Sequence, residues 1–300
     1  MAKKDPRSPE QKIRQLELEL ADKDRELIAF RRELSTINQQ LEKFIKQLAD
    51  ELKLAGLIQR SLVPTDIPTI PGFEFSTKFI SSSLKGGDYF DIFELEDKMK
   101  FGILLANSSG HGMASLFLSV LLKLTTLIEA RKGLEPSDVL NHMAKEIKSN
   151  LQGEDFANVF YCVIDRRHFK LNYSKSGAVL SFLYKYSDDK LIKLDATQSA
   201  IGKNSEEVFS AEELLLDPRD KLILMSEGIV KSLNSGGEEF GEDRLYHCML
   251  ETIHGTCHEV RNEILFQVSQ FVGAKEYPQD LSVLIVEVKD KVIKLSQRLT

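Results

Sequence analysis

An apolar residue returns at every seventh position from Ile13 through Leu20, Leu27, Leu34, Leu41 and Leu48 to Ala55 and Leu62, and neither Gly nor Pro interrupts the chain between Glu10 and Ala55. Leu16, Lys23, Phe30, Ile37, Phe44, Glu51 and Ile58 sit three residues after the first seven. A repeat of this kind keeps one seam of an α-helix turned to a partner, so residues 10–62 are predicted to form a helix about 75 to 80 Å long that pairs with a second copy as a coiled coil. Lys23 and Glu51 weaken the seam locally and fix its register. Early flanking positions are charged, as at Lys12, Glu17, Asp24 and Arg31, whereas Ile45, Leu52 and Leu54 widen the apolar face. The widening predicts that the last turns dock on the domain that follows.

Pro64, Pro68 and Pro71 end the helix and mark the boundary. Beyond them β-branched and aromatic runs predict strands at 73–79, 89–95, 100–106, 159–164, 169–173, 179–186, 190–194, 221–225 and 281–288. Helical patterns fall at 112–130, 136–151, 243–253 and 258–272. Short connections between paired strands predict antiparallel sheets with helices grouped outside, an α+β domain over 63–290 between a polar tail at 1–9 and a C-terminal tail at 291–300. With 42% hydrophobic and 29% charged residues in a chain of 300, a sizeable core is available.

Two loops carry the chemistry. Gly86-Gly-Asp-Tyr-Phe-Asp91 sets Asp88 just past two glycines, where the backbone turns tightly and presents a carboxylate to a hard cation. Asn107-Ser-Ser-Gly-His-Gly112 follows an apolar strand and opens a helix, but its strand-end residue is an uncharged amide. The pair reads as an acidic-loop metal site with a carboxylate missing.

Six segments in order carry a family resemblance: Ala55-Gly-Leu-Ile-Gln-Arg-Ser-Leu-Val-Pro64, the two loops, Met225-Ser-Glu-Gly-Ile229, Glu239-Phe-Gly-Glu-Asp-Arg-Leu245 and Gln279-Asp-Leu-Ser-Val-Leu284. Together they resemble the SpoIIE-like, RsbU-type branch of the metal-dependent (PPM, type 2C) protein serine/threonine phosphatases. The resemblance implies a sandwich of two antiparallel β-sheets flanked by α-helices. It also implies a site built by Asp88, Asn107, Glu227 and Gln279 with loop residues Gly86, Gly87, Gly110, His111, Gly112 and Gly228. Active relatives typically have Asp at all four positions. Here two are neutral amides, one of them at the position assigned to the ligand bridging both ions, and Glu227 is one methylene too long.

Magnesium holds near-ideal octahedral geometry at ~2.1 Å, and a two-metal hydrolase relies on its ions to make hydroxide and clamp the phosphoryl group. The substitutions therefore predict a pseudophosphatase with no cofactor, acting as a regulatory or binding module in bacterial signalling. The alternative is an active manganese- or magnesium-dependent protein serine phosphatase that holds metal through Asp88 and Glu227 with Asp91, Asp280 or Glu94 as substitutes. A third reading makes the coiled coil the working part. Ser176-Gly-Ala178 stands where relatives often have Ala-Gly-His, and Lys231, where relatives are often acidic, reads as a solvated loop residue. By resemblance, the partner is a phosphorylated anti-sigma-factor antagonist or a related signalling protein.

Other classes are excluded on composition. A net charge of −6 gives no footprint for nucleic acid. Cys162, Cys248 and Cys257 are scattered and odd in number, and the basic N-terminus has no apolar core, so a reducing, cytoplasmic setting is expected. The longest apolar stretch, 113–128, is broken by Lys123 and reads as a core helix rather than a membrane span. His254, Cys257 and His258 are spaced to share a helix face, but four zinc ligands are not at hand and Gly255 lies among them, so they read as incidental. The run 234–239 is a surface loop, since no Lys-Ser/Thr of a phosphate loop follows it.

Overall fold

The computed structural model describes residues 9–62, 64, 66–82, 87–109, 113–150, 155–195, 198–203, 205, 208–273 and 276–289. The chain divides into two compact units, Met1–Leu52 and Lys53–Thr300. The expected long helix is present as α1, Pro9–Leu62. In the first unit its seam residues Ile13, Leu16, Leu20, Leu27, Phe30, Leu34, Ile37, Leu41 and Phe44 are 44% to 65% exposed in the single chain.

The second unit contains two antiparallel sheets. One has the order β1 (Phe73–Ile80), β11 (Leu281–Val288), β10 (Lys221–Met225), β6 (Leu180–Lys185) and β7 (Lys190–Lys193). The other has the order β2 (Tyr89–Glu94), β3 (Lys100–Ser108), β4 (Phe156–Asp165), β5 (Lys170–Ser176) and β9 (Glu212–Leu215), with β8 (Ile201–Gly202) also paired to β4. The pleat of each strand then fixes three layers of core. Along β3, Ile103 and Leu105 meet Leu224, Leu284 and Val286 between the sheets. The alternate residues Leu104 and Ala106 face α2 (Met113–Ile128) and α3 (Pro136–Asn150) through Leu118, Leu122 and Met143. On the other side, Ile223, Val283 and Ile285 meet α4 (Gly241–Thr252) and α5 (Cys257–Val272). Central strands buried on both faces read as continuous apolar runs instead of alternating ones, as 101–106 does.

In the last turns of α1 the described Leu54, Leu57 and Ile58 are 40% to 58% exposed, less covered than the expected docking would leave them. Among the described side chains there, Leu62 packs on the helix-side core, and its carbonyl accepts a hydrogen bond from Lys123 Nζ at 2.6 Å. The short strands β8 and β9 escaped the pattern. β8 has two residues, and β9 is an edge strand whose Glu212-Glu213-Leu214-Leu215 shows no alternation.

Candidate functional site

The strand ends of the two sheets meet around a cavity of about 190 Å³, and Asp88, Asn107, Glu227 and Gln279 all line it. Asp88 precedes β2, Asn107 ends β3, Glu227 follows β10 and Gln279 precedes β11. Gly228 is required in this turn, because a Cβ there would run into the Asp280 carbonyl. Ser226 and Ser282 lock the two strand ends together, with Ser226 N–H donating to Ser282 O and Ser282 N–H donating to Ser226 Oγ, both at 3.0 Å. Gly87 also lines the cavity, while Gly86, Gly110, His111 and Gly112 lie outside the described residues.

Each carboxylate here has its own environment. Asp88 is buried, and its Oδ2 accepts a 2.7 Å hydrogen bond from Ser282 Oγ. Burial, followed by the charge of Asp280, pushes its carboxyl well above the usual range despite that bond. Asp280 lines the cavity but serves the backbone. Its Oδ1 accepts from Ser82 N–H at 2.7 Å, and its Oδ2 accepts from Gly87 N–H at 2.9 Å and Asp88 N–H at 3.2 Å. Glu227 Oε1 lies 3.1 Å from Lys231 Nζ, so Lys231, whose side chain is 41% exposed, is solvated as expected and also an ion-pair partner at the cavity.

The substitute ligands fare unequally. Asp91 shares the helix-facing side of β2 with Tyr89 and Phe93. There it accepts from Tyr89 Oη at 3.1 Å and from Ile92 N–H at 2.9 Å. Glu94 pairs with Lys98 at the surface at 3.3 Å. Neither Asp91 nor Glu94 is among the described residues lining the cavity.

Asn107 is 7% exposed, and its Oδ1 is buried with no hydrogen-bond partner among the described residues. Its direct cross-strand partner on β4 is Asn158, which the sequence reading missed. Asn158 lines the cavity and accepts from Ala178 N–H at 3.1 Å, so it ties the Ser176-Gly-Ala178 turn to the site. Its signal in the sequence is weak, one amide at the head of an apolar strand. Ser226 and Ser282 were legible only as members of their segments. A neighbouring cleft of about 470 Å³ shares Asn158 and Glu227 and adds Lys175. A larger groove of about 930 Å³ between α4 and α5 shares no lining residue with the site.

Comparison with known proteins places this geometry. The family model described as Stage II sporulation protein E (SpoIIE) matches residues 97–289. The phosphoserine phosphatase RsbU of Bacillus subtilis is 20% identical over 200 residues, covering 67% of this chain. The chain spans 59% of RsbU's length. Among solved structures, the SiaA PP2C domain of Pseudomonas aeruginosa has a TM-score of 0.63 at 19% identity, covering 81% of this chain and 97% of that one. The PP2C phosphatase domain of SpoIIE from Bacillus subtilis, solved with a fragment of its regulatory domain, has a TM-score of 0.59 at 20% identity, covering 72% and 64%. Two antiparallel sheets flanked by helices, a cavity at their strand ends and a family match over most of the domain lead to one conclusion: the chain belongs to the SpoIIE family and carries its PP2C-type, phosphatase-like domain.

Proposed function

We propose that this chain is a bacterial signalling protein whose SpoIIE-type domain has lost phosphoester hydrolysis and serves as a regulatory or binding module, presented as a dimer by the coiled coil of α1. The observation that carries the reading is the employment of the cavity's carboxylates. Asp280 is committed to three backbone amides, Glu227 to Lys231, and Asp88 is buried under conditions that favour its neutral form. With all groups ionised, Asp88, Glu227, Asp280 and Lys231 give the lining a net charge of −2, half of what two divalent ions would need. Asn107 and Gln279 add none. This donor set does not fit a two-ion centre. The partner in this reading is a serine-phosphorylated anti-sigma-factor antagonist or a related signalling protein.

A second reading, an active manganese- or magnesium-dependent phosphatase with a remodelled site, is favoured by one observation. The orphaned Oδ1 of Asn107 is an acceptor of the kind a hard cation takes up.

Manganese titration and phosphatase assay of the full chain decide between the two. The native chain is expected to show no manganese-dependent turnover above background, and Asn107→Asp alone to recover little. Asn107→Asp, Glu227→Asp and Gln279→Asp together bring the lining to −4 and restore metal binding non-additively. Robust turnover by the native chain, abolished in Asp88→Ala, overturns the first reading in favour of the second.

A further inference from the structure

Under α5, the five-stranded sheet carries a second cluster of ligating side chains that the front cavity does not use. Glu74 on β1 and Glu287 on β11 are direct cross-strand partners. Like charges so placed are destabilising unless a cation lies between them. Glu287 is 5% exposed, and its Oε2 is buried with no hydrogen-bond partner among the described residues. The first turn of α5 sets Cys257 and His258 over this pair. The ligating atoms of Glu74, Cys257 and His258 all lie within 4.8 Å of one another, and Glu74 Oε1 is 3.4 Å from His258 Nε2.

The surroundings of these atoms are arranged for ligation. Ser76, on the same face of β1 as Glu74, has its Oγ 2.9 Å from His258 Nδ1. With the ring proton on Nδ1, this bond turns the Nε2 lone pair toward Glu74, as ligating imidazoles are held by their other nitrogen. Lys289 Nζ sits 2.6 Å from Glu74 Oε2 and 2.9 Å from Glu287 Oε1. It steadies both carboxylates through Glu74 Oε2 and Glu287 Oε1 and leaves Glu74 Oε1 facing His258. His254 turns away to Tyr184 Oη at 3.1 Å, so the cluster differs from the one that helical spacing suggested.

We propose that Glu74, Cys257 and His258, backed by Glu287, form a binding site for one divalent transition metal of the zinc class. A tetrahedral ion with bonds of about 2.0 to 2.3 Å spaces its ligand atoms about 3.3 to 3.8 Å apart. The Glu74–His258 pair already has that spacing, and Cys257 needs a shift of about 1 Å or less. Burial, with Glu74 and Glu287 beside it, pushes the Cys257 thiol up to about 11. A bound ion replaces the thiol proton and converts the surrounding negative charge from repulsion into ligation.

The test is cobalt(II) titration of the full chain after chelator treatment, with zinc as competitor. One equivalent of cobalt is expected to bind, to give thiolate-to-cobalt charge-transfer absorption in the near ultraviolet, and to be displaced by zinc. The absorption is lost in Cys257→Ser, and affinity falls at least about tenfold in Glu74→Gln and in His258→Gln. His258 is 49% exposed, so that variant keeps the fold if the Cys257 variant does not. Cys248→Ser and Asp88→Asn leave binding unchanged, which separates this site from the front cavity. No charge-transfer band, a band that survives Cys257→Ser, or an unaltered affinity in His258→Gln overturns the assignment.

Discussion

Lys175→Met tests the electrostatics beside the site in quantitative terms. Lys175 is 5% exposed on β5, and its ammonium donates to the Leu194 carbonyl at 2.7 Å. Burial pushes it from its ordinary 10.5 down to about 8, with Lys193 adding to the effect and Asp195 and Glu242 opposing it. Each pH unit of displacement corresponds to about 1.4 kcal/mol, so the charged form costs the fold about 3 kcal/mol at neutral pH, and nearer 2 once the water reaching the cleft is counted. Methionine fills the same space with an unbranched apolar chain. The Leu194 carbonyl keeps a donor, because Ser181 Oγ also reaches it at 2.8 Å. Subtracting a lost hydrogen bond of about 1 kcal/mol leaves the variant about 1 kcal/mol more stable at pH 7. The sign changes with pH. Between about 8 and 10.5 the unfolded chain holds the proton that the folded chain has released, so wild-type stability rises with pH through that window and the variant gains nothing from this group. Urea unfolding of both proteins at pH 7 and pH 10 is expected to show the variant's advantage shrinking by about 2 kcal/mol and reversing. A pH-independent difference between the two would refute the reasoning.

Three other outcomes follow from the same structure. Sedimentation is expected to give a dimer for the full chain and a monomer for a chain beginning at Val63, and dimerisation of the shortened chain would move the interface to the globular domain. The folded Asp88 carboxyl titrates above its unfolded value, so the stability it contributes is present in acid and is lost as pH rises through the folded pKa. Asp88→Asn is therefore expected to gain on the wild type between pH 5 and pH 8 in urea melts, and an equal loss at both pH values would contradict the burial argument. Asp280→Ala leaves the amides of Ser82, Gly87 and Asp88 without their acceptor, and a cost of about 2 to 4 kcal/mol is expected in the same melts.

The parts of the fold that could be read from the sequence are those where one period governs many residues. The long helix α1 and the apolar runs of β3, β10 and β11 announce themselves because an apolar stripe, or burial on two faces, repeats along the element. Glu212 to Leu215 carry no such period, since an edge strand with exposed side chains answers mainly to backbone pairing. At the site, Asp88, Asn107, Glu227 and Gln279 line one cavity. What the sequence could not give is the employment of each group. That Asp91 faces the helices depends on the pleat phase of β2, and that Lys231 reaches Glu227 depends on the turn after β10. The Glu74–Glu287 pair depends on the register of two strands more than two hundred residues apart in the chain. Asn158 enters only because β4 lies beside β3.

The three backbone amides gathered by Asp280 bear on how such a domain ages. The N–H groups of Ser82, Gly87 and Asp88 are answered by a side chain of the protein itself, so their satisfaction does not depend on an ion. Architecture and chemistry are then uncoupled. Amides such as Asn107 and Gln279 can accumulate around the cavity without unravelling its walls, whereas Asp280 is held in place by folding alone. In this chain Asp280 therefore serves the backbone, and its presence alone is no sign of turnover.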